Sequence, residues 1–165
     1  MTYLSKLSAA AATTALVLAA SSAASAVGNV ADQKVDGSFT IGDIACSWTG
    51  GSTNANPPNS LTVDRSTVNQ PGGNLSCGEG ASGTLNNDPT FTFDDANALA
   101  TSDTIDISGS QGVSCRYSAA NVQWDRQGTT RQYTNRAFTA QKVSGGPLCP
   151  GTVDADPADA SVTFN

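Results

Sequence analysis

Four cysteines, Cys46, Cys77, Cys115 and Cys149, are the residues of this chain best suited to chemistry. A thiolate nucleophile needs an activating base, usually an imidazole, and the 165 residues include no histidine. A zinc site would need four scattered thiolates, since no two cysteines stand at C-x-x-C spacing. The remaining use is as two disulfides, for which an even count is the sequence signature. In "SCRYSAANVQW", Ser114 to Trp124, Cys115 therefore reads as one end of a staple. Four cysteines leave three pairings open.

The other routes to catalysis are poorly supplied. A Ser-His-Asp triad is excluded without histidine. Beyond the first residues the only lysines are Lys34 and Lys142, neither in a nucleophile context and both suited to a solvated surface. Glycoside hydrolysis needs two carboxylates flanking one bond, and Glu79 is the sole glutamate. The expectation is a protein that is neither an enzyme nor a cofactor carrier, with a secreted hydrolase as the least favoured alternative. Two groups of aspartates remain: Asp94, Asp95, Asp103 and Asp106 around one loop, and Asp154, Asp156 and Asp159 near the C-terminus. Calcium takes six to eight oxygens, so the first group is a weak candidate site. Neither group has EF-hand or repeat-type calcium spacing, and solvated turn aspartates are the ordinary alternative.

The elements that would position these residues begin after residue 26. Residues 1–26 read as a secretion signal: Lys6 is the positive n-region, Leu7 to Ala20 the apolar stretch, and Ala24-Ser25-Ala26 the cleavage site. The apolar stretch is too short and alanine-rich for a good membrane span. Cleavage leaves a chain of about 139 residues, enough for one domain. It carries seven Lys and Arg against fourteen Asp and Glu, a net charge of about −7. That balance argues against nucleic-acid binding, which needs a basic surface, and against attraction to anionic membranes. An extracellular, oxidising location suits the disulfides.

Residues 27–36, "VGNVADQKVD", are polar and unpatterned and predict a mobile N-terminal arm. Residues 37–165 predict one all-β domain. Short runs such as "GSFTI", "DIACSW", "SLTVDRSTV", "TFTF", "TIDIS", "VSCRYS", "NVQWD", "RQYTN", "AFTAQKV", "LCPG" and "ASVTF" are separated by Gly, Pro and Asn turn signals. Eight to ten short strands predict an antiparallel, immunoglobulin-like β-sandwich with two disulfides. The segment "DDANALATSD" predicts a loop with at most one helical turn.

An internal echo favours one cysteine pairing. "IACSW", "LTVDRSTV" and "LSCGEG" parallel "VSCRY", "FTAQKVS" and "LCPGT", which favours Cys46–Cys77 with Cys115–Cys149. Chance similarity between β-rich segments is the rival explanation. The chain also concentrates its arginines in one place. Arg126, Arg131 and Arg136 flank a hairpin carrying Trp124 and Tyr133, predicted cross-strand partners, with Tyr117 on the strand before. Arginine and large aromatics are enriched at binding hot spots. Tyr117, Trp124, Arg126, Arg131, Tyr133 and Arg136, with Val30 and Lys34 of the arm, are therefore the candidate partner-binding residues. The ordinary alternative places Trp124 in the core and pairs the arginines with surface aspartates.

The whole pattern resembles the small secreted four-cysteine β-proteins of actinobacteria, through the Cys115-Arg116-Tyr117 strand and the late Leu148-Cys149-Pro150. One such group is the adaptor subunit of umbrella toxin particles, linking a toxin-bearing subunit to a lectin subunit. The resemblance implies a non-catalytic adaptor whose partner is another extracellular protein, engaged by sheet-edge addition or arm insertion. The ending "ASVTFN" is similar to the last strand of the neocarzinostatin-type apoproteins, acidic secreted sandwiches that carry an apolar chromophore. Their two disulfides close short loops, whereas the cysteine spacings here are 31, 38 and 34. This second resemblance implies a carrier of a small apolar molecule.

Overall fold

Ala160–Phe164 buries Ala160, Val162 and Phe164 and leaves Ser161 and Thr163 half-exposed, the period of two that a strand with one buried face requires. Similar alternation builds most of the chain. The computed structural model describes residues 33–42 and 44–165. The expected secretion signal (1–26) and Val30 lie outside the described residues.

Twelve strands follow in order: β1 (Lys34–Ile41), β2 (Ile44–Thr53), β3 (Leu61–Asp64), β4 (Ser76–Cys77), β5 (Ser82–Leu85), β6 (Thr90–Asp94), β7 (Leu99–Ser110), β8 (Ser114–Arg126), β9 (Gln132–Asn135), β10 (Phe138–Gly145), β11 (Thr152–Ala155) and β12 (Ala160–Phe164). Every ladder between them is antiparallel. The all-β, antiparallel prediction holds, as do two disulfides, Cys46–Cys77 and Cys115–Cys149.

The architecture differs from the expected two-sheet sandwich. Ladders run β1–β2–β3–β6–β7–β8–β9–β12 and return to β1, so eight strands close a barrel. The closure arises because β8 pairs with β7 on one edge and reaches β9 on the other, which leaves no open edge between the expected sheets. Four strands hang from this ring: β4 on β2, β5 on β7, and the β10–β11 ribbon on β8.

Local differences have local causes. Only Asp95 to Ala98 turns within "DDANALATSD", because Leu99 to Ser102 pair with β6 and Ala100 and Ser102 are buried. The run "SLTVDRSTV" ends as a strand at Asp64, whose carboxylate accepts the Ser66 amide and caps a 3-10 turn over Arg65–Thr67. "LCPG" is a loop.

The expected arm is corrected over its last residues, where Lys34 to Asp36 are the start of β1. Val35 is fully buried and pairs with Gly51 and Phe164, so an apolar contact in the ring outweighs the polar look of the segment. Asp36 accepts the Gly50 amide at 2.7 Å in a bulge of β2, where Gly50 has φ 67°. A residue with a Cβ is strained in that conformation.

The barrel is filled by aromatic packing. Phe91, Phe93, Tyr133 and Phe164 meet at centroid distances of 5.4 to 5.9 Å, and Phe91 also meets Trp124. Such tilted and edge-on pairs add about 0.5–1.5 kcal/mol each beyond area burial. Trp48 lies across Gly37, its cross-strand neighbour, so closely that any Cβ at position 37 would overlap the indole. Gly37→Ala is therefore expected to lower stability by about 1–3 kcal/mol through overpacking. Urea denaturation should show a lower midpoint with an unchanged slope, while Gly146→Ala, in open space, should match the wild type.

Candidate functional site

The inward faces of β10 and β11 are short. Phe138 and Ala140 alternate with exposed Thr139 and Gln141, and Val153 and Ala155 alternate with exposed Thr152 and Asp154. Register sets Phe138 opposite Ala155 and Ala140 opposite Val153, so these four side chains make one apolar patch facing the barrel. Beneath it the alanines leave space. A cavity of about 80 Å³ lies between the ribbon and the barrel, with Phe39, Trp48, Phe91, Tyr117, Trp124 and Phe138 in its wall. Six of the ten aromatic residues in the chain thus line one space.

Tyr117 and Val153 also line a second, more open groove of about 430 Å³, bordered by Ile44, Val113, Cys115 and Pro150. The shared residues make cavity and groove neighbours across one wall. The Tyr117 hydroxyl donates to the Pro150 carbonyl at 3.2 Å. Polar groups on the cavity wall are few. Ser38 is hydrogen-bonded to Ser161 at 2.9 Å, and the Asp159 carboxylate accepts the Asp156 amide at 2.7 Å.

The chain matches no protein-family model, and no curated protein or solved structure is significantly similar to it.

The candidate partner-binding residues divide between core and surface. Tyr117, Trp124 and Tyr133 are all buried. The Trp124 indole donates to the Ser102 hydroxyl at 3.0 Å, and burial pushes the Tyr133 phenol above its ordinary pKa. Tyr133 sits opposite Arg126, and Trp124 opposite Asn135, so the expected Trp124–Tyr133 cross-strand pair is displaced by two residues. Arg126 pairs with Asp95, and Arg136 with Asp125, each at 2.8 Å. Arg131 is exposed and makes no ion pair among the described residues. Lys34 donates to the Ser52 hydroxyl at 3.3 Å. The aromatics and arginines thus do not form one exposed patch.

The calcium candidates also disperse, and among the described residues no acidic cluster is arranged to hold a metal. Asp94 accepts from the Asn97 backbone and side chain, which hold its carboxyl below the ordinary value. Asp95 holds Arg126, and Asp103 accepts the Thr90 and Thr104 amides. Asp106 receives Arg116 in a two-pronged pair, Nε and Nη2 each at 2.8 Å, with the Asn86 amide at 3.0 Å. A carboxylate with its lone pairs so used has little left for a cation.

The ribbon residues Phe138, Ala140, Val153 and Ala155 were missed as site residues. Their period-two pattern was visible, but nothing local showed that "TVDA" would fold back on "FTAQ" and roof a space.

Hydrogen bonding by Arg116 holds the Asp106 carboxyl below its ordinary value, desolvation opposing and Asn86 assisting. A carboxyl lowered in the folded state stabilises the fold above its unfolded value, near 3.9, and loses that contribution as pH falls through the folded value. Asp106→Asn should therefore melt below the wild type at pH 7, and the gap should narrow between pH 4 and pH 2. Thermal melts at several pH values measure it, and a gap independent of pH would show that the charge contributes nothing.

Proposed function

We propose that this chain is a non-catalytic binding protein whose barrel takes one small, largely apolar ligand. One observation carries the proposal, the aromatic-walled cavity beneath the β10–β11 ribbon with its adjoining groove. Side chains just fill the interior of an eight-stranded barrel, as the aromatics do here, so the space for a ligand is the one between barrel and ribbon. Ligand pockets typically measure about 300–1,000 Å³, a range that includes the groove at about 430 Å³. A ligand body in the groove would send one apolar end toward the cavity. Few polar groups on the wall favour an uncharged ligand, since an unpaired charge there would lose its hydration without return. The resemblance to neocarzinostatin-type apoproteins is in the same direction. A catalytic role finds little support: Lys142 donates to the Cys149 carbonyl, and Lys34, which meets the Ser52 hydroxyl at 3.3 Å, lines neither the cavity nor the groove.

An adaptor role, the second proposal, is favoured by a different observation. β5 has a ladder partner on one edge only, and an extended segment of another extracellular protein would add beside it by main-chain hydrogen bonds.

The carrier proposal is tested with Nile red, a neutral apolar dye, and with native mass spectrometry of protein purified from culture supernatant. Saturable dye binding is expected, weakened at least tenfold by Ala140→Trp, which fills the space under the ribbon. Thr139→Trp, on the outer face, should bind as the wild type does. Absence of saturable binding, or indifference to Ala140→Trp, would count against the carrier.

A further inference from the structure

The β10–β11 ribbon joins the barrel by a narrow set of attachments. Only Gln141 to Gly145 of β10 pair with β8; residues 138–140 pair with β11 alone. The outer edge of β11 lies against β1 without a ladder. The ribbon therefore roofs the cavity while held along one short edge.

Its two ends are fixed differently. At the base stands Asn135, a buried polar residue. Its amide nitrogen donates to the carbonyls of Arg136 and Asp156, at 3.0 and 2.9 Å, and its side-chain oxygen accepts the Ala160 amide at 2.7 Å. The Ala158 amide adds a bond to the Asn135 main-chain oxygen at 3.0 Å. One residue thus gathers the chain entering the ribbon and the chain leaving it. At the tip most hydrogen bonds stay within the ribbon: the Lys142 ammonium donates to the Cys149 carbonyl and the Lys142 amide to the Gly151 carbonyl, each at 2.9 Å. The Tyr117 hydroxyl reaches the Pro150 carbonyl from β8 at 3.2 Å, and the covalent tie is the Cys115–Cys149 disulfide, which joins the loop to the first residues of β8 beside the groove.

We propose that the β10–β11 ribbon is a flap over the cavity, hinged at Asn135 and latched at its tip by Cys115–Cys149. What the flap admits rests on the carrier proposal; the latch does not. With the disulfide closed, the tip stays on β8 beside Tyr117 and Val153, the residues that groove and cavity share. With it open, the ribbon is left on β8 with a few ladder pairs and the single Tyr117–Pro150 hydrogen bond, the class of attachment that opens locally before the whole fold does. A small dithiol would open it. One thiolate attacks the sulfur of Cys115, the Cys149 thiolate leaves, and the reagent's second thiol displaces Cys115 and closes its own disulfide. Two electrons pass to the protein, and its two sulfurs end as thiols. The flap is thereby redox-sensitive, closed in an oxidising compartment and free in a reducing one.

Hydrogen exchange tests the latch without any ligand. The folded chain is compared with Cys115→Ser/Cys149→Ser, and separately with wild type exposed to graded dithiothreitol, with alkylation mapping reporting which disulfide has opened. The second arm starts from folded protein, so the test stands if the variant does not fold. Opening Cys115–Cys149 should speed exchange of amides in 138–155 at least tenfold and leave those of β1, β7 and β12 unchanged. Equal acceleration in ribbon and barrel, or none in the ribbon, would overturn the flap. Where Nile red binds, its release should also quicken at least tenfold. If no dye binds either form while ribbon exchange responds as stated, the carrier proposal falls and the latch stands.

Discussion

The ladder between β7 and β8 is the constraint on which the rest depends. It runs unbroken in direction from Leu99 opposite Asp125 to Ser110 opposite Ser114, through strands of twelve and thirteen residues. Each strand is longer than any single neighbour on its other edge. β7 therefore carries β6 on one half and β5 on the other, and β8 carries β9 on one half and β10 on the other. The half of β8 that meets β9 closes the barrel. The half that meets β10 carries a ribbon away from the ring and over its interior. One long strand with a divided edge thus produces both the closed core and the space beside it.

The chemistry of the side chains follows this layout. Along β8, Tyr117, Ala119, Val122 and Trp124 are buried, while Arg116, Asp125 and Arg126 turn to partly or fully exposed ion pairs. Exposed pairs of this kind contribute little stability each, so the aromatic packing and the two disulfides dominate. In the chain-entropy model each disulfide, closing roughly thirty residues, contributes about 3–4 kcal/mol. The Cys46–Cys77 link joins two paired strands of the barrel side. The Cys115–Cys149 link instead ties the loop after β10 to the start of β8.

Much of the fold was legible in the sequence because its signals are local. Alternation in "TFTF" and "ASVTF", turn chemistry between strands, and the repeated cysteine context pointed to an antiparallel all-β chain and to the observed pairing. Barrel closure was not legible, since it depends on β12 reaching β1 across more than a hundred residues of intervening chain. The burial of Val35 within a polar stretch was hidden for the same reason. The arginine-aromatic hairpin misled because composition does not say which side of a strand faces in. Trp124 and Tyr133 face inward together, while Arg126 meets Asp95 of a distant turn and Arg136 meets Asp125 of β8 itself. The ribbon residues carried a readable period of two but no indication of what they would cover.

A carrier requires the space beneath the ribbon to be open, apolar and able to take a guest. Apolar cavities of this kind stay dry and bind xenon or small aromatics. A crystal structure of the protein under xenon pressure measures this directly. The account predicts a xenon atom in the cavity walled by Phe91, Tyr117, Trp124 and Phe138, with no ordered water there. A ribbon packed down onto those aromatics, or a cavity filled by ordered water, would contradict it.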